Sequence, residues 1–223
     1  NNGCPKENKL SDQDGIIIDK NQEIKRLNGI YRKILADSGV TLHEDRAILK
    51  DPHTVIVGGK EVTAEKVLVA TGGWPTIPDF VGKEYAITSN EAFFLDNLPE
   101  RIIIIGGGYI AVEFAGILHG YGADVTQLYR SDLFLRGFDQ DIRGHLAQEM
   151  VKQGVDLRFN TNITTLEKTC SGLLATLDDG SRLETDVVMC ATGRVPNTRN
   201  IGLEELGVEM KEDGSIIVDE RFK

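Results

Sequence analysis

A strand, a glycine turn and a helix follow one another directly near the middle of the sequence. The apolar run 101–105 ends at three glycines, 106–108, and an apolar segment with helical periodicity continues from 109 to about 121. This order is typical of the βαβ unit that binds dinucleotides. The chain is therefore expected to contain a Rossmann-like α/β domain.

The small residues of the turn suit the approach of a pyrophosphate. Gly106 allows the strand to turn tightly, and Gly108 leaves room for the anion beside the backbone. The helix that follows offers unpaired N–H groups and the positive end of its dipole. Ala111 takes the third small position, with Ala115 one turn later, and both are expected to keep the helix close to the sheet.

Two arginines follow the second strand of this unit. An NAD-binding unit places Asp or Glu at the end of that strand to accept from the ribose 2′-hydroxyl. Here the strand 124–129 is followed by Arg130, and Arg136 comes soon after. Guanidinium groups suit a 2′-phosphate through charge and bidentate geometry, so the sequence predicts NADPH. A glycine turn that merely joins a strand to a helix is the disfavoured alternative.

Composition excludes several classes of partner. The 223 residues have a net charge of −10, which argues against nucleic acid or an anionic membrane as a partner. No apolar run reaches the roughly 18 residues of a membrane span. Cys4, Cys170 and Cys190 are far apart, which fits neither a disulfide framework nor a metal site. We expect a soluble cytoplasmic protein without a bound metal.

The first third of the chain has its own pattern. Residues 1–15 are polar and predict a loop or a frayed end, and a helix is expected from Asp19 to Gly39. Strands 54–57 and 60–63 flank two glycines, which predicts a hairpin, and 66–70 is expected to form a further strand.

The remaining segments continue the α/β pattern. The sequence predicts a helix near 139–153, a strand at 156–159, and a meander that turns at Asp179-Gly180. Two further strands are expected at 186–191 and 215–219.

Five segments together resemble the flavoprotein disulfide reductases that use a nicotinamide cofactor. They are RLNGIY at 26–31, VLVATGGWPTIP at 67–78, GGGYIAVEFAG at 106–116, LRGFD at 135–139 and ATGRVPNT at 191–198. The resemblance runs from about 21 to 221. Arg130 with LRGFD and RLNGIY favours the glutathione or trypanothione branch of the family.

The resemblance implies a role for individual residues at the nicotinamide nucleotide. Tyr109 is implied to cover the nicotinamide pocket, and Gly193 to close on the cofactor. Arg130 and Arg136 are implied to hold the 2′-phosphate. Taken together, the glycine turn and the resemblance give the expected NADPH-binding positions as Gly106, Gly107, Gly108, Tyr109, Ile110, Ala111, Glu113, Arg130, Arg136 and Gly193.

The resemblance also implies contacts to FAD and to substrate. Ala47, Thr71 and Gly72 fall where the family contacts FAD, and Tyr31 where it lines the glutathione cleft. Tyr31 lies on the apolar stripe of its helix, so a simple core role is an equal alternative for it. A surface aromatic and a helix-start acid are the plainer alternatives for Tyr109 and Glu113.

The sequence departs from the family in several places. It contains neither the redox cysteine pair, nor the first FAD-binding glycine turn, nor the His-Glu pair of the C-terminal domain, and Asp45 stands where the family usually has glycine. The chain is thus expected to correspond to the middle of such an enzyme. Residues 1–72 would be the rear of the FAD-binding domain, 73–195 the NADPH-binding domain, and 196–223 the start of the central domain.

The implied function is NADPH-dependent reduction of a small-molecule disulfide, with glutathione disulfide as the expected substrate and FAD as the second cofactor. No residue of this chain is expected to be catalytic, and the full-length protein is expected to be a homodimer. The alternatives are a non-catalytic NADPH-binding module and a related enzyme such as a trypanothione reductase. An NADH-using relative such as a lipoamide dehydrogenase is disfavoured by Arg130.

Overall fold

The computed structural model describes residues 10–223, and its first helix, α1 (Leu10–Asp37), is longer than expected. The loop predicted for 1–15 is wrong from Leu10 onward, and residues 1–9 lie outside the described part. Asp19 lies within the helix and does not cap it. No proline follows Leu10 before the helix ends, and an established helix extends at little cost. Gly39, with φ of 73°, ends the helix as predicted.

An antiparallel hairpin and its neighbour form the small sheet that follows. Strands β1 (Ala47–Asp51), β2 (Thr54–Val57) and β3 (Lys60–Thr63) pair in the order β1-β2-β3. Gly58 and Gly59 both have positive φ, of 55° and 76°, which is the geometry of a tight two-residue turn. The hairpin predicted at these glycines is confirmed.

Two predicted strands are wrong. Segment 66–70 is irregular, none of the described strands pairs with it, and Leu68 is 85% exposed. Segment 215–219 forms only an isolated bridge between Met210 and Ile216. An apolar run becomes a strand only where a neighbour satisfies its backbone groups.

The chain divides into two units. The outer unit comprises the described residues up to Trp74 together with Val195–Lys223, and the central unit is Pro75–Arg194. Strand β4 (Gly73–Pro75) lies where the chain first passes between them. Residues 196–223 therefore group with the N-terminal part, but the assignment of each part to a cofactor domain stays a prediction.

The central unit contains two sheets and the helices beside them. Its elements are β5 (Ile87–Thr88), α2 (Ser89–Ala92), β6 (Arg101–Ile105), α3 (Tyr109–Gly120), β7 (Asp124–Tyr129), α4 (Gln140–Gln153), β8 (Asp156–Phe159), β9 (Ile163–Thr169), β10 (Gly172–Leu177), β11 (Arg182–Thr185) and β12 (Val187–Cys190), with a short 3-10 helix at Lys83–Tyr85. A parallel sheet has the strand order β5-β12-β6-β7-β8, and an antiparallel sheet has the order β11-β10-β9. Strand β13 (Arg194–Pro196) begins at the last residue of this unit.

Strand β6 lies at the centre of two hydrophobic cores. Its four isoleucines, 102–105, are buried on both faces of the sheet, as the continuous apolar run requires. Ile102 and Ile104 pack with Ala111 and Ala115 of α3, which are fully buried. Ile103 and Ile105 pack toward β9 and β10. The predicted α/β dinucleotide-binding fold is confirmed, and the two alanines do hold the helix against the sheet.

None of the helices among the described residues is both long and apolar enough to cross a membrane.

Candidate nucleotide-binding site

A cleft of about 640 Å³ opens at the carboxyl ends of β6, β7 and β12. This is the edge at which open α/β sheets bind their ligands. The glycine turn, the residues after β7, the loop before α4 and the segment 191–194 line it. All of these residues belong to the central unit.

Gly106 must be glycine for reasons internal to the fold. Its φ is 147°, which other residues rarely adopt, and a Cβ there would overlap the carbonyl oxygen of Ala191. Its N–H donates to the Leu128 carbonyl at 2.9 Å, so the turn is closed onto β7. The tight turn predicted at this position is present.

Gly107 and Gly108 are small for different reasons. A Cβ on Gly107 would overlap the ring of Tyr129, a partner that the sequence did not reveal. A Cβ on Gly108 would meet nothing within 4 Å, so the space beside it is open. Gly108 has an ordinary φ of −86°, and its lack of a side chain serves no packing contact in the protein. Entry of a pyrophosphate into this space stays a prediction.

The amino end of α3 faces the cleft with its amides uncapped. Gly108 is the N-cap and has no side chain with which to accept from them. Tyr109 is 58% exposed and Ile110 is half-buried, and both line the cleft. The first turn of this 12-residue helix offers both N–H donors and a positive dipole end to an anion.

Arg130 and Arg136 both line the cleft and are both exposed. Among the residues whose side chains the structure describes, from 19 onward, neither guanidinium makes a hydrogen bond or an ion pair. Other arginines are engaged: Arg101, for example, pairs with Asp186 at 2.7 Å. Two unengaged guanidiniums in a chain of net charge −10 leave a local positive site at this edge of the cleft.

Arg143 is a residue of the site that sequence reasoning missed. Its Nε donates to the Phe134 carbonyl and its Nη2 to the Leu133 carbonyl, both at 2.6 Å. These carbonyls belong to the loop between Arg130 and Arg136. One feature of the sequence could have indicated this role: Arg143 lies in the first turn of α4, and the N-cap of that helix directly follows the loop.

Gln127 was missed as well. Its side chain is only 1% exposed, and its Nε2 donates to the Gly106 carbonyl at 3.0 Å. Its Oε1 is buried and makes no hydrogen bond within the described residues. The side chain thereby fixes the direction of the peptide group at the start of the turn.

Two other predicted site residues, Gly193 and Glu113, differ in whether they line the cleft. Gly193 lines the cleft with φ of 153°, and its carbonyl accepts from the Thr76 N–H at 3.0 Å. Glu113 lies on the exposed side of α3 and is not among the residues that line the cleft. The nicotinamide roles of both stay predictions.

The residues predicted for FAD and substrate lie in the outer unit and are exposed. Ala47 begins β1, and the carbonyls of Thr71 and Gly72 accept from Asn197 at 3.4 and 2.9 Å. None of the three lies at a helix N-terminus, so they do not by themselves form an FAD pyrophosphate site. Tyr31 is 63% exposed on α1, and the alternative of a core position for it is wrong.

The described thiols differ in environment. Cys190 is buried at the end of β12, and burial raises the pKa of its thiol to about 12, so it stays protonated at neutral pH. Cys170 is exposed in the turn between β9 and β10. Among side chains from residue 19 onward, no three His, Cys, Asp or Glu groups gather as metal ligands.

The parallel sheet, the glycine turn and the cleft at the carboxyl edge define an α/β protein of the dinucleotide-binding class. The chain belongs to the pyridine nucleotide-disulphide oxidoreductase family, whose model matches residues 1–223. The family resemblance inferred from the sequence is thereby confirmed.

Several disulfide reductases are similar to the chain. It is 43% identical to a glutathione reductase of Burkholderia cepacia over 205 residues, covering 92% of this chain and 46% of the relative. It is 39% identical to a trypanothione reductase of Leishmania donovani, covering 92% and 44%. The solved structure of the flavoprotein disulfide reductase RclA from Escherichia coli matches with a TM-score of 0.85 at 30% identity, covering 92% and 48%. The chain spans slightly less than half the length of these relatives.

Proposed function

We propose that this chain is the NADPH-binding part of a flavoprotein disulfide reductase, and that the whole protein is a homodimer that reduces glutathione disulfide. The main support for NADPH as the cofactor is the pair of unengaged guanidiniums, those of Arg130 and Arg136, which line the cleft beside the glycine turn. Similarity to glutathione reductases at 43–45% identity supports glutathione disulfide as the substrate.

The residues of the cleft suit each part of NADPH. The first turn of α3, entered through Gly108, would hold the pyrophosphate, and Arg130 and Arg136 would hold the 2′-phosphate. Tyr109 and Gly193 would flank the nicotinamide. NADPH supplies the hydride, while this chain binds and orients it.

The flavin and the redox disulfide belong to the whole protein in this proposal. Ala47, Thr71 and Gly72 would touch FAD, and Tyr31 would touch the disulfide substrate. These exposed positions do not by themselves form an FAD-binding site within the described residues.

Two alternatives have support of their own. The sequence holds no neighbouring pair of cysteines, which would also suit a module that binds NADPH without catalysis. Similarity to trypanothione reductases would also suit trypanothione disulfide as the substrate. Flavin absorbance of the whole protein would distinguish a flavoprotein reductase from a module that only binds NADPH. The rates at which the whole protein reduces glutathione disulfide and trypanothione disulfide, measured side by side, would distinguish the two substrates.

Calorimetric titration of NADPH and NADH tests the cofactor directly. A charge-assisted hydrogen bond contributes about 1.5–3 kcal/mol, and solvent reduces this for exposed groups. The pair should therefore give roughly 3 kcal/mol in total, or about 10²-fold preference for NADPH at low salt. Arg130→Glu should remove that preference and leave NADH binding nearly unchanged, because NADH has no 2′-phosphate.

Arg182→Glu is the matched control. It makes the same change of charge at an exposed position on β11 that does not line the cleft. It should leave both affinities near those of the wild type. Equal losses of NADPH and NADH in Arg130→Glu would show that Arg130 is structural and would overturn the 2′-phosphate assignment.

A further inference from the structure

Arg143 joins α4 to the loop that bears both cleft arginines. Its Nε and Nη2 donate to two successive carbonyls, those of Phe134 and Leu133, at 2.6 Å each. Its Nη1 donates to the Gln140 side chain at 2.9 Å. The planar guanidinium is thus held by three acceptors and is half-buried, unlike the exposed guanidiniums of Arg130 and Arg136.

The two carbonyls lie in the stretch of chain that sets the spacing between Arg130 and Arg136. One fork of donors can hold successive carbonyls in a fixed orientation because the guanidinium is rigid. A lysine has a single ammonium on a flexible stem and lacks that fixed fork. Arg143 therefore constrains the backbone between the two cleft arginines in a way that its charge alone would not.

Other contacts fix the rest of this loop without Arg143. The Leu135 N–H donates to the Gly107 carbonyl at 2.6 Å, and the Phe134 ring is fully buried against Phe159, with centroids 5.8 Å apart. At the other end the Asn160 N–H donates to the Ser131 carbonyl at 3.3 Å. Loss of Arg143 would thus free only the orientation of the Leu133 and Phe134 carbonyls, while the glycine turn keeps its own partner.

We propose that Arg143 is a positioning residue that sets the preference for a 2′-phosphorylated nucleotide by holding Arg130 and Arg136 at the spacing that this phosphate needs. The inference rests on the proposed function of the cleft as an NADPH site. Arg143 is not among the residues that line the cleft, and it acts on the nucleotide only through the backbone of the loop.

Adenosine 2′,5′-bisphosphate and 5′-AMP are the probes that isolate this effect, since they differ only in the 2′-phosphate. Their affinities are measured by calorimetry at several salt concentrations for the 223-residue chain and for Arg143→Gln. The variant should bind the bisphosphate about tenfold more weakly, which corresponds to about 1.4 kcal/mol, and 5′-AMP within about twofold. The salt dependence of bisphosphate binding should also become shallower, because fewer charged contacts form.

Two further variants separate positioning from charge and from folding. Arg143→Lys keeps the charge and should recover only part of the loss. Arg158→Gln removes a charge from β8, where Arg158 pairs with Asp156 at 2.9 Å, and should leave both affinities unchanged. Thermal unfolding identifies any variant that has lost its fold, and if Arg143→Gln has done so, Arg143→Lys provides the comparison.

The results distinguish this inference from the function on which it rests. A wild-type chain that binds both probes equally would overturn the NADPH proposal and this inference with it. A wild-type preference that is unchanged in Arg143→Gln, or fully restored by lysine, would overturn only the role of Arg143. Equal weakening of both probes would show that Arg143 supports the whole cleft and not the 2′-phosphate position.

Discussion

Alanine substitutions in the glycine turn should separate folding from binding. In Gly106→Ala the new residue would have to adopt φ of 147°, and its Cβ would overlap the Ala191 carbonyl. Strain of this kind costs about 1–3 kcal/mol before the overlap is counted. We therefore expect the free energy of unfolding to fall by at least about 2 kcal/mol, which corresponds to a fall in Tm of about 4–8 °C for a chain of this size.

Gly108→Ala should have the opposite profile. Its φ is ordinary and the space beside it is open. The poorer N-cap and the smaller entropy of the unfolded chain nearly cancel, so we expect a change in Tm within about 3 °C. The methyl group would occupy the space that the pyrophosphate needs, which should weaken NADPH and NADH alike by about tenfold.

Circular dichroism melting and calorimetric titration of both nucleotides measure the two effects. Gly122→Ala is the control for strain alone, because Gly122 has φ of 92° and no atom near its would-be Cβ. It should destabilise less than Gly106→Ala and leave binding unchanged. A Gly106→Ala variant with the wild-type Tm, or a Gly108→Ala variant with wild-type affinity, would refute the argument.

Three further predictions concern the chain alone. With glutathione disulfide and added FAD, NADPH oxidation by the pure 223-residue chain should stay at background because the sequence has no neighbouring cysteine pair, and clear turnover would contradict this. FAD should be lost on gel filtration, since Ala47, Thr71 and Gly72 form no pyrophosphate site; stoichiometric retained flavin absorbance would show otherwise. Arg101 lowers the pKa of Asp186 by a hydrogen bond, so this carboxylate stabilises the fold above its unfolded pKa and the benefit is lost as pH falls through its lower folded value. Asp186→Asn should thus cost about 1 kcal/mol at neutral pH and progressively less below about pH 4, and an equal cost at every pH in denaturant titrations would exclude this linkage.

The parts of the fold that the sequence predicted are those set by local pattern. The strand 101–105, the helix that begins at Tyr109 and the hairpin at Gly58 each depend on residues adjacent in the chain. Segment 66–70 has the same strand-like composition, but pairing depends on a distant neighbour that local pattern does not reveal. Extension of α1 back to Leu10 likewise had no signal in the periodicity.

The same division holds within the candidate site. Gly106 was identified with its reason, because a strand that turns directly into a helix requires special backbone angles. The reason for Gly107 depends on the Tyr129 ring, and Gln127 and Arg143 act through carbonyls that only the folded chain brings to them. Such contacts are set by tertiary packing and have no fixed spacing in sequence.

The ³¹P NMR titration of the bound 2′-phosphate of NADPH is the most direct test of the cofactor site. Two guanidiniums favour the dianion, so its second pKa, near 6 in a free phosphate monoester, should fall when NADPH binds the wild-type chain. In Arg130→Glu the pKa should return to, or rise above, that of free NADPH. If the pyrophosphate signals shift on binding while the 2′-phosphate titrates as in free NADPH, the cleft binds dinucleotides without recognising this phosphate, and the assignment of Arg130 and Arg136 is wrong.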